Sequence, residues 1–594
     1  MSEDRLIIGG ASGFWGEASH ATNQLLTYPG LDVLVYDYLA EITMSILARA
    51  RIKDASKGFA TEFVDDAMAG NLPAIAEAGV KVLSNAGGVN PQACADAVRA
   101  LLDKAGLDLK IAVVQGDDLM ARASDFSDRK EMFDGSRFPD AGSVASINAY
   151  LGAFPVAAAL DAGADIVITG RCADSALALA ACIHSFGWTP ADHDLLAQGS
   201  LAGHLLECGP QATGGNFTDW ESAGSLADIG YPVADVAADG SFSVAKPPDT
   251  SGLVTPASVG EQMLYEIGDP QAYVLPDVVA DFSRVTIRPA GADRVAVRGA
   301  LGRAPTGRLK VSATFMDGYR AGFVFQFNGR AARKKAETFV AAGLERARRK
   351  LRAMNVPDYT DSCVELFGGR PDGSDDEEIT VKTAVRHADA RAVGLFLKEI
   401  TGAALATPPG LHFFTGGGRP RPSPVVRLFS FLLDNGAVPV RVTLEGQDIG
   451  YRPADIALRD DAVTDRPEPP GAPDDTDLVP VRLERLAFAR SGDKGNDANI
   501  GVLARHPDYL PYLWRALDAS TIAAAFALHL KGGVDKYYLP GIDGMNILLH
   551  DVLGGGGVAS LLNDAQGKGF AQTLLSLTVP VPRTMAQSVA GGET

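Results

Sequence analysis

Short apolar runs that end in glycine or polar residues recur through the first third of the chain. They are LIIGG (6–10), LDVLVYD (31–37), VKVLSNAGG (80–88), KIAVVQGDD (110–118) and ADIVITGR (164–171). Alanine-rich segments of helical character, such as LPAIAEAG and PQACADAVRALLDKAG, lie between them. Continuous apolar runs mark strands buried on both faces, and alternation of strands with helices marks crossover units. The pattern predicts an α/β domain over 1–224 with an open, mostly parallel sheet. From 225 the texture changes. RVTIRPAG, RVAVRGA, LKVSATFMDGY and AGFVFQFNG are strand-like without helices between them, and a helix over 331–353 follows. A second, α+β lobe is expected to end at 456. Residues 457–478, rich in Pro and Asp, predict a stiff solvated linker. A small α+β domain is expected over 479–585, from VRLERLAFAR to LLSLTVPVP.

A chain of 594 residues exceeds a single core and carries a net charge of −19. That balance argues against nucleic acid, whose binding rests on Lys and Arg. One basic cluster, from Arg330 to Arg352, lies in a helical pattern with Glu337 and Glu345; the pattern suits a solvated helix face first and a phosphate-binding patch second. Cys94, Cys172, Cys182, Cys208 and Cys363 stand far apart, so neither a zinc ribbon nor a disulfide framework is suggested. No apolar segment is long enough to span a membrane, and the start MSEDRLIIGG has acids where a signal peptide needs bases and too short an apolar run, so a cytoplasmic location is expected.

Candidate chemistry collects at the strand ends. GGASGFWGEASH places Gly10, Ser12, Gly13 and Gly16 after a strand, with Asp37 closing the next. That spacing suits a dinucleotide fingerprint, another small-ligand turn, or a turn of purely structural kind. NAGGVNP adds Gly87, Gly88 and Asn90, QGDD adds Asp117 and Asp118, and YDYLAE adds Asp37 and Glu41. Together they suggest a polar rim, against helix capping for each residue alone. Arg171 and Asp174 stand three apart before a helix; the arginine suits a carboxylate or phosphate, or an internal ion pair. His204, Glu207 and Cys208 share one helical face and offer proton transfer or a nucleophile. Asp219 is the nearest third ligand for a metal, and no metal site is assigned. ARSGDKGNDANIG (489–501) places Asp493, Lys494, Asn496 and Asn499 on a glycine-rich loop, expected to be functional.

GGASGFWGE, NAGGVNP, VITGRCADSALAL, GHLLECGPQATGGNF, EQMLYEIGDPQAYVLPDV (261–278) and LKVSATFMDGY together resemble the acyclic terpene utilisation AtuA family. SGDKGNDANIG and NILLHDVLGGG resemble its small ferredoxin-like C-terminal domain. The resemblance implies a lyase or hydratase step on a 3-hydroxyglutaryl-CoA-like intermediate in the breakdown of acyclic terpenes or branched acids. The expected partner is a small acyl-CoA or carboxylate, with coenzyme A as part of the substrate, no nucleic acid, no membrane, and self-association into a homo-oligomer. Arg171 is expected to grip a carboxylate, His204 with Glu207 or Asp493 with Lys494 to move protons, and the amides of Gly87 and Gly88 to receive an enolate-like oxygen. Two alternatives stand beside this: an NAD(P)-linked oxidoreductase resting on Gly10, Gly13, Gly16 and Asp37, and a non-catalytic assembly subunit of an acyl-CoA carboxylase pathway.

Overall fold

A computed structural model describes residues 5–591 apart from 18–19, 370–376, 415–417, 461, 464, 472, 474–475 and 558, so part of the expected linker lies outside the described residues. Five strands pair in parallel: β1 (Arg5–Ser12), β2 (Val33–Tyr36), β3 (Lys81–Ser84), β4 (Ile111–Gln115) and β5 (Ile166–Thr169), in the spatial order β1-β2-β3-β5-β4. These are the five apolar runs of the sequence. Each ends at a polar residue because the helices that follow cover the faces and leave only the strand ends to chemistry. Those helices include α1 (Glu41–Lys53), α2 (Pro91–Ala105) and α3 (Ala176–Phe186). The core packs Leu34, Val82 and Ile168 of the strands against Phe63, Val98 and Leu102.

The sheet does not stop at 224. On the β1 side, β6 (Val233–Ala237), β7 (Phe242–Ala245), β8 (Thr286–Gly291) and β9 (Arg294–Arg298) continue it; beyond β4 lie β10 (Arg441–Leu444) and β11 (Gln447–Asp448). The eleven-stranded order is β8-β9-β7-β6-β1-β2-β3-β5-β4-β10-β11, and the added strands pair antiparallel. An unpaired parallel edge would expose a row of amides and carbonyls; these strands close both edges.

The chain forms two compact units. One comprises residues up to 314, 429–552 and from 567 on; the other comprises 315–428 and 553–566. In the first, α4 (His193–Leu206) ends against β1, and α5 (Pro256–Met263) starts from a Thr255–Ser258 capping box. The first unit also contains a C-terminal four-stranded antiparallel sheet, β12 (Ala487–Lys494), β13 (Asp497–Ala504), β14 (Val534–Leu539) and β15 (Gly544–Leu549), in the order β12-β13-β15-β14. Lys494 pairs opposite Asp497, so only Gly495 and Asn496 form the turn, with Gly495 at φ +68°. The polar stretch read as a loop is thus two strand ends joined by a tight hairpin.

That sheet is fastened to the rest of its unit by buried polar bonds. Asn499 donates from Nδ2 to the Leu264 carbonyl at 2.6 Å, and its Oδ1 accepts from the Glu266 amide at 3.0 Å. Asn546 donates to the carbonyls of Ile267 and Gly268. Arg490, 4% exposed, pairs with the fully buried Glu261 at 3.3 Å and donates to Gln211 and to the Gly215 carbonyl.

In the second unit the strand segments within Arg308–Gly329, Glu377–His387 and Asp361–Gly368 pair antiparallel. Helices α6 (Ala332–Ala353) and α7 (Ala390–Gly402) bury Phe339 and Phe396 against Phe325, Phe327 and Val381. The bases in the second half of α6 are ion-paired locally, Arg346 and Lys350 with Glu399, Arg348 with Asp358, Arg349 and Arg352 with Glu345, while Arg333 and Lys335 donate to the carbonyls of Gly368 and Asn328. This is the solvated, ion-paired helix face, and it gives no support to a phosphate-binding surface there. Among the described residues no helix is long and apolar enough to cross a membrane.

Two stability outcomes follow. Arg490→Met strands Glu261 as a buried unpaired charge and should cost about 3–5 kcal/mol, read from urea unfolding; adding Glu261→Met should recover much of it. Asp117, 2% exposed at the end of β4, accepts from Asn148 Nδ2 and the Arg171 amide, and burial pushes its carboxyl up to about 7. The native state therefore holds a proton that the unfolded chain releases near pH 4. The contribution of Asp117 to stability should fall as pH rises from 4 to 7 and level off above, by about 4 kcal/mol. Asp117→Asn should flatten that slope.

Candidate active site

The turn after β1 does not cradle a ligand. The Gly10 amide donates to the Pro232 carbonyl at 2.9 Å, and the Gly13 amide to Glu17 Oε2 at 2.5 Å. A Cβ on Gly10 would lie 2.6 Å from the Leu206 carbonyl oxygen, and one on Gly13 2.9 Å from that of Glu207. These glycines are small so that the end of α4 can press on the strand turn. A pyrophosphate would find both amides spent and a carboxylate beside them, which removes the basis of the oxidoreductase reading. The Ser12 hydroxyl donates to the carbonyls of Phe14 and Asp37. The Gly88 amide donates to the Asn85 carbonyl, and a Cβ on Gly87 would collide with the Thr169 carbonyl oxygen. The Asn90 amide group is held by the carbonyls of Ala55 and Lys57. These positions shape the rim; the Gly88 amide is not available to an enolate oxygen.

The close packing of α4 delivers its polar end to the strand tips. One oxygen each of Asp37, Asp174 and Glu207 lies within 4.8 Å of the others. Asp37 is oriented at Oδ1 by Asn85 Nδ2 and by the Leu39 amide. Asp174 accepts from Arg171 Nη1 at 2.6 Å. Arg171, 3% exposed, lies over the Tyr150 ring at 4.2 Å, and its Nε has no hydrogen-bond partner among the described residues. Burial raises the Asp37 carboxyl well above the usual carboxylate range; Asp174 and Glu207 push the same way, and Arg171 resists.

His204 sits 1% exposed behind Glu207, stacked near Phe282. Its Nε2 lies 3.1 Å from the Met263 carbonyl, which only accepts, so Nε2 carries a proton. Its Nδ1 lies 3.0 Å from Glu207 Oε1. A single proton is therefore shared across that contact, on the imidazole or on the carboxyl. Burial raises the Glu207 carboxyl, and His204 counters it. Cys208 stands at the same helix end, but burial and the carboxylates of Glu207 and Glu266 push its thiol well above the ordinary range, which leaves it a poor nucleophile. Asp219, the third ligand considered with His204, forms two 2.6 Å bonds with Arg505 instead.

The C-terminal sheet completes the site. Lys494 lies 5.5 Å from the centre of the Tyr273 ring and acts electrostatically on both Glu207 and Glu266. Lys568 Nζ donates to Tyr265, to Glu266 at 2.6 Å and to Asp493 at 3.1 Å. Burial opposes ionisation of Glu266, but Lys568 and Lys494 outweigh it and hold its carboxyl low. Burial, then Glu266, pushes Asp493 up to about 6 against Lys568. Asn496 is bonded to Asp551 at 2.6 Å, and Asn499 supports the 264–266 turn; both position the module. A further group flanks Arg171: Glu41 accepts from Tyr150 and, at 3.2 Å, from Lys310. Burial works against its ionisation, and Lys310, Arg171 and Tyr150 together hold it low. A small cavity lies among Glu41, Asn148, Tyr150 and Arg171.

Of the residues singled out in the sequence, Asp37, Glu41, Arg171, Asp174, His204, Glu207, Asp493 and Lys494 converge here. Asn85, Tyr265, Glu266, Tyr273, Lys310 and Lys568 were missed, although Tyr265, Glu266 and Tyr273 lie inside the EQMLYEIGDPQAYVLPDV stretch.

Neither a curated protein nor a solved structure matches the chain. Two family models do. The AtuA ferredoxin-like domain matches residues 481–580, the segment that forms the four-stranded sheet bearing Asp493 and Lys494. The model of the acyclic terpene utilisation family protein AtuA matches residues 6–444, which include every other residue of the cluster save Lys568. The chain belongs to the acyclic terpene utilisation AtuA family.

Proposed function

We propose that this cluster is the active site of a catabolic enzyme that performs a lyase or hydratase step on an acyl-CoA or branched carboxylate, of the 3-hydroxyglutaryl-CoA kind. The observation that carries the reading is the pairing of unlike protonation environments around a buried guanidinium. Arg171 offers an unpartnered Nε–H for a substrate carboxylate. Beside it, Asp37 and Glu207 are pushed toward the protonated form while Glu41 and Glu266 are held ionised. Such divergence between neighbouring carboxyls separates acid from base.

In a dehydration, Glu207 gives its proton to the departing 3-hydroxyl, and a carboxylate such as Asp493 takes the proton from the α-carbon. In a carbon–carbon cleavage, Glu207 Oε2 accepts the hydroxyl proton as the bond breaks, while the proton at Oε1 passes to His204 Nδ1. Lys494 then faces the enolate oxygen of the thioester fragment. The third possibility, an assembly subunit, expects the polar hairpin of the C-terminal sheet to face a partner protein. That hairpin's Asp493 and Lys494 instead act on Glu266, Glu207 and Tyr273 of the same chain.

The test is conversion of a panel of CoA thioesters followed by mass. Asp174→Asn and Glu207→Gln should each lower kcat by about 10²–10⁴ while circular dichroism shows the fold retained. Full turnover in both variants would sink the proposal.

A further inference from the structure

We propose that Asp37, Asp174 and Glu207 bind one hard divalent cation, Mg²⁺ or Mn²⁺, at the centre of the site. The inference rests on the same location as the reading above and describes its metal-loaded state, in which Asp37 and Glu207 are ionised ligands and the proton shared across the His204–Glu207 contact lies on the imidazole, from where Glu207 Oε1 receives it for the acid step.

Three observations meet here. The first is geometric. The ligand oxygens come from three separate segments, the end of β2, the turn after β5 and the end of α4, yet lie within 4.8 Å of one another. An ion between them would need only small side-chain adjustments to reach the roughly 2.0–2.6 Å bonds of Mg²⁺ or Ca²⁺.

The second is an orphaned atom. Glu207 Oε1 is engaged by His204 at 3.0 Å, but Oε2 is buried and without a hydrogen-bond partner among the described residues, on a side chain only 11% exposed. Buried carboxylate oxygens are ordinarily satisfied. Arg171 does not supply the missing partner: its Nη1 bonds Asp174 and the Cys172 carbonyl, and its Nε makes no hydrogen bond among the described residues.

The third is support from behind. Each carboxylate is held at one oxygen by a protein donor: Asp37 Oδ1 by Asn85 and the Leu39 amide, Asp174 Oδ1 by Arg171, Glu207 Oε1 by His204. Such outer bonds orient metal-ligating carboxylates. Both His204 nitrogens are already engaged, so the donor set is all oxygen, which selects Mg²⁺, Mn²⁺ or Ca²⁺ over zinc. Three carboxylates leave coordination positions for water or for substrate oxygens, next to the Arg171 guanidinium.

The test uses the full chain, stripped with EDTA, dialysed and titrated with Mn²⁺, with free Mn²⁺ read by electron paramagnetic resonance. One Mn²⁺ should bind per chain and be displaced by Mg²⁺. Asp37→Asn and Asp174→Asn should each weaken binding by at least about tenfold, with circular dichroism of the metal-free protein unchanged. Absence of stoichiometric binding to wild type at millimolar Mn²⁺ overturns the site whatever the variants do, and so does affinity equal to that of wild type in both variants. Thioester conversion that survives EDTA, in a protein that binds no Mn²⁺, would overturn the cation site and leave the acid–base reading standing. Mn²⁺ binding that depends on Asp37 and Asp174, without conversion of any thioester, would keep the site and count against that reading.

Discussion

The approach of α4 to the turn after β1 is the constraint on which the site depends. Gly10 and Gly13 let the backbone of Leu206 to Cys208 come within van der Waals contact of the strand turn. That contact fixes how far His204 and Glu207 reach over the sheet. A methyl group at either glycine would move the helix end outward by the overlap it creates, and the carboxylate of Glu207 would leave Asp37 and Asp174. Packing in protein interiors is dense enough that such a displacement is not absorbed locally. The glycines thus act on chemistry through helix position, without touching a ligand.

A second constraint fastens the C-terminal sheet. Its contact with 261–268 is made largely by buried polar groups: Arg490 with Glu261, Asn499 with Leu264 and Glu266, Asn546 with Ile267 and Gly268. A slip of one residue along the strands would leave these donors and acceptors unpaired in a dry interface, each at about 1–3 kcal/mol. Apolar contacts alone would tolerate the slip. The polar contacts therefore set the register that brings Asp493 and Lys494 to Glu266 and Glu207. Glu266 itself takes a left-handed backbone, φ +55°, uncommon for a residue with a side chain, and Asn499 holds its amide there.

What was legible in the sequence is what local physics determines. The five parallel strands announced themselves as apolar runs, and their polar ends named Asp37, Arg171 and Asp174. The His204–Glu207 contact followed from helical spacing. What lay hidden needs long-range pairing. The antiparallel strands after 224 read as a separate lobe because nothing in RVAVRGA says which sheet it joins. Asn85 was passed over for Asn90 in one motif: both follow a strand, and only the fold decides that Asn85 faces Asp37 while Asn90 ties down residues 55–57. Lys568 sits in a Gly-Lys-Gly stretch near the end of the chain and gains its role only when the C-terminal sheet docks. The dinucleotide-like spacing misled because a turn that admits a pyrophosphate and one that admits a helix end ask for the same glycines.

The C-terminal sheet supplies more than cover. Lys568 contacts two carboxylates, Glu266 and Asp493, yet they do not share its charge equally. Glu266 also senses Lys494 and stays ionised, and its fixed negative charge then helps hold the Asp493 carboxyl near 6. Near neutral pH the module thus presents one carboxyl that changes charge readily beside one that does not. Burial alone would have raised both. The asymmetry begins with Lys568, which lies 2.6 Å from Glu266 and 3.1 Å from Asp493, and Lys494 adds to it from the hairpin end, where the tight turn at Gly495 and Asn496 brings the strand terminus toward Tyr273 and Glu207. A longer, looser connection would carry Lys494 away from Glu207 and Glu266 and weaken the distinction between acid and base on that side of the site.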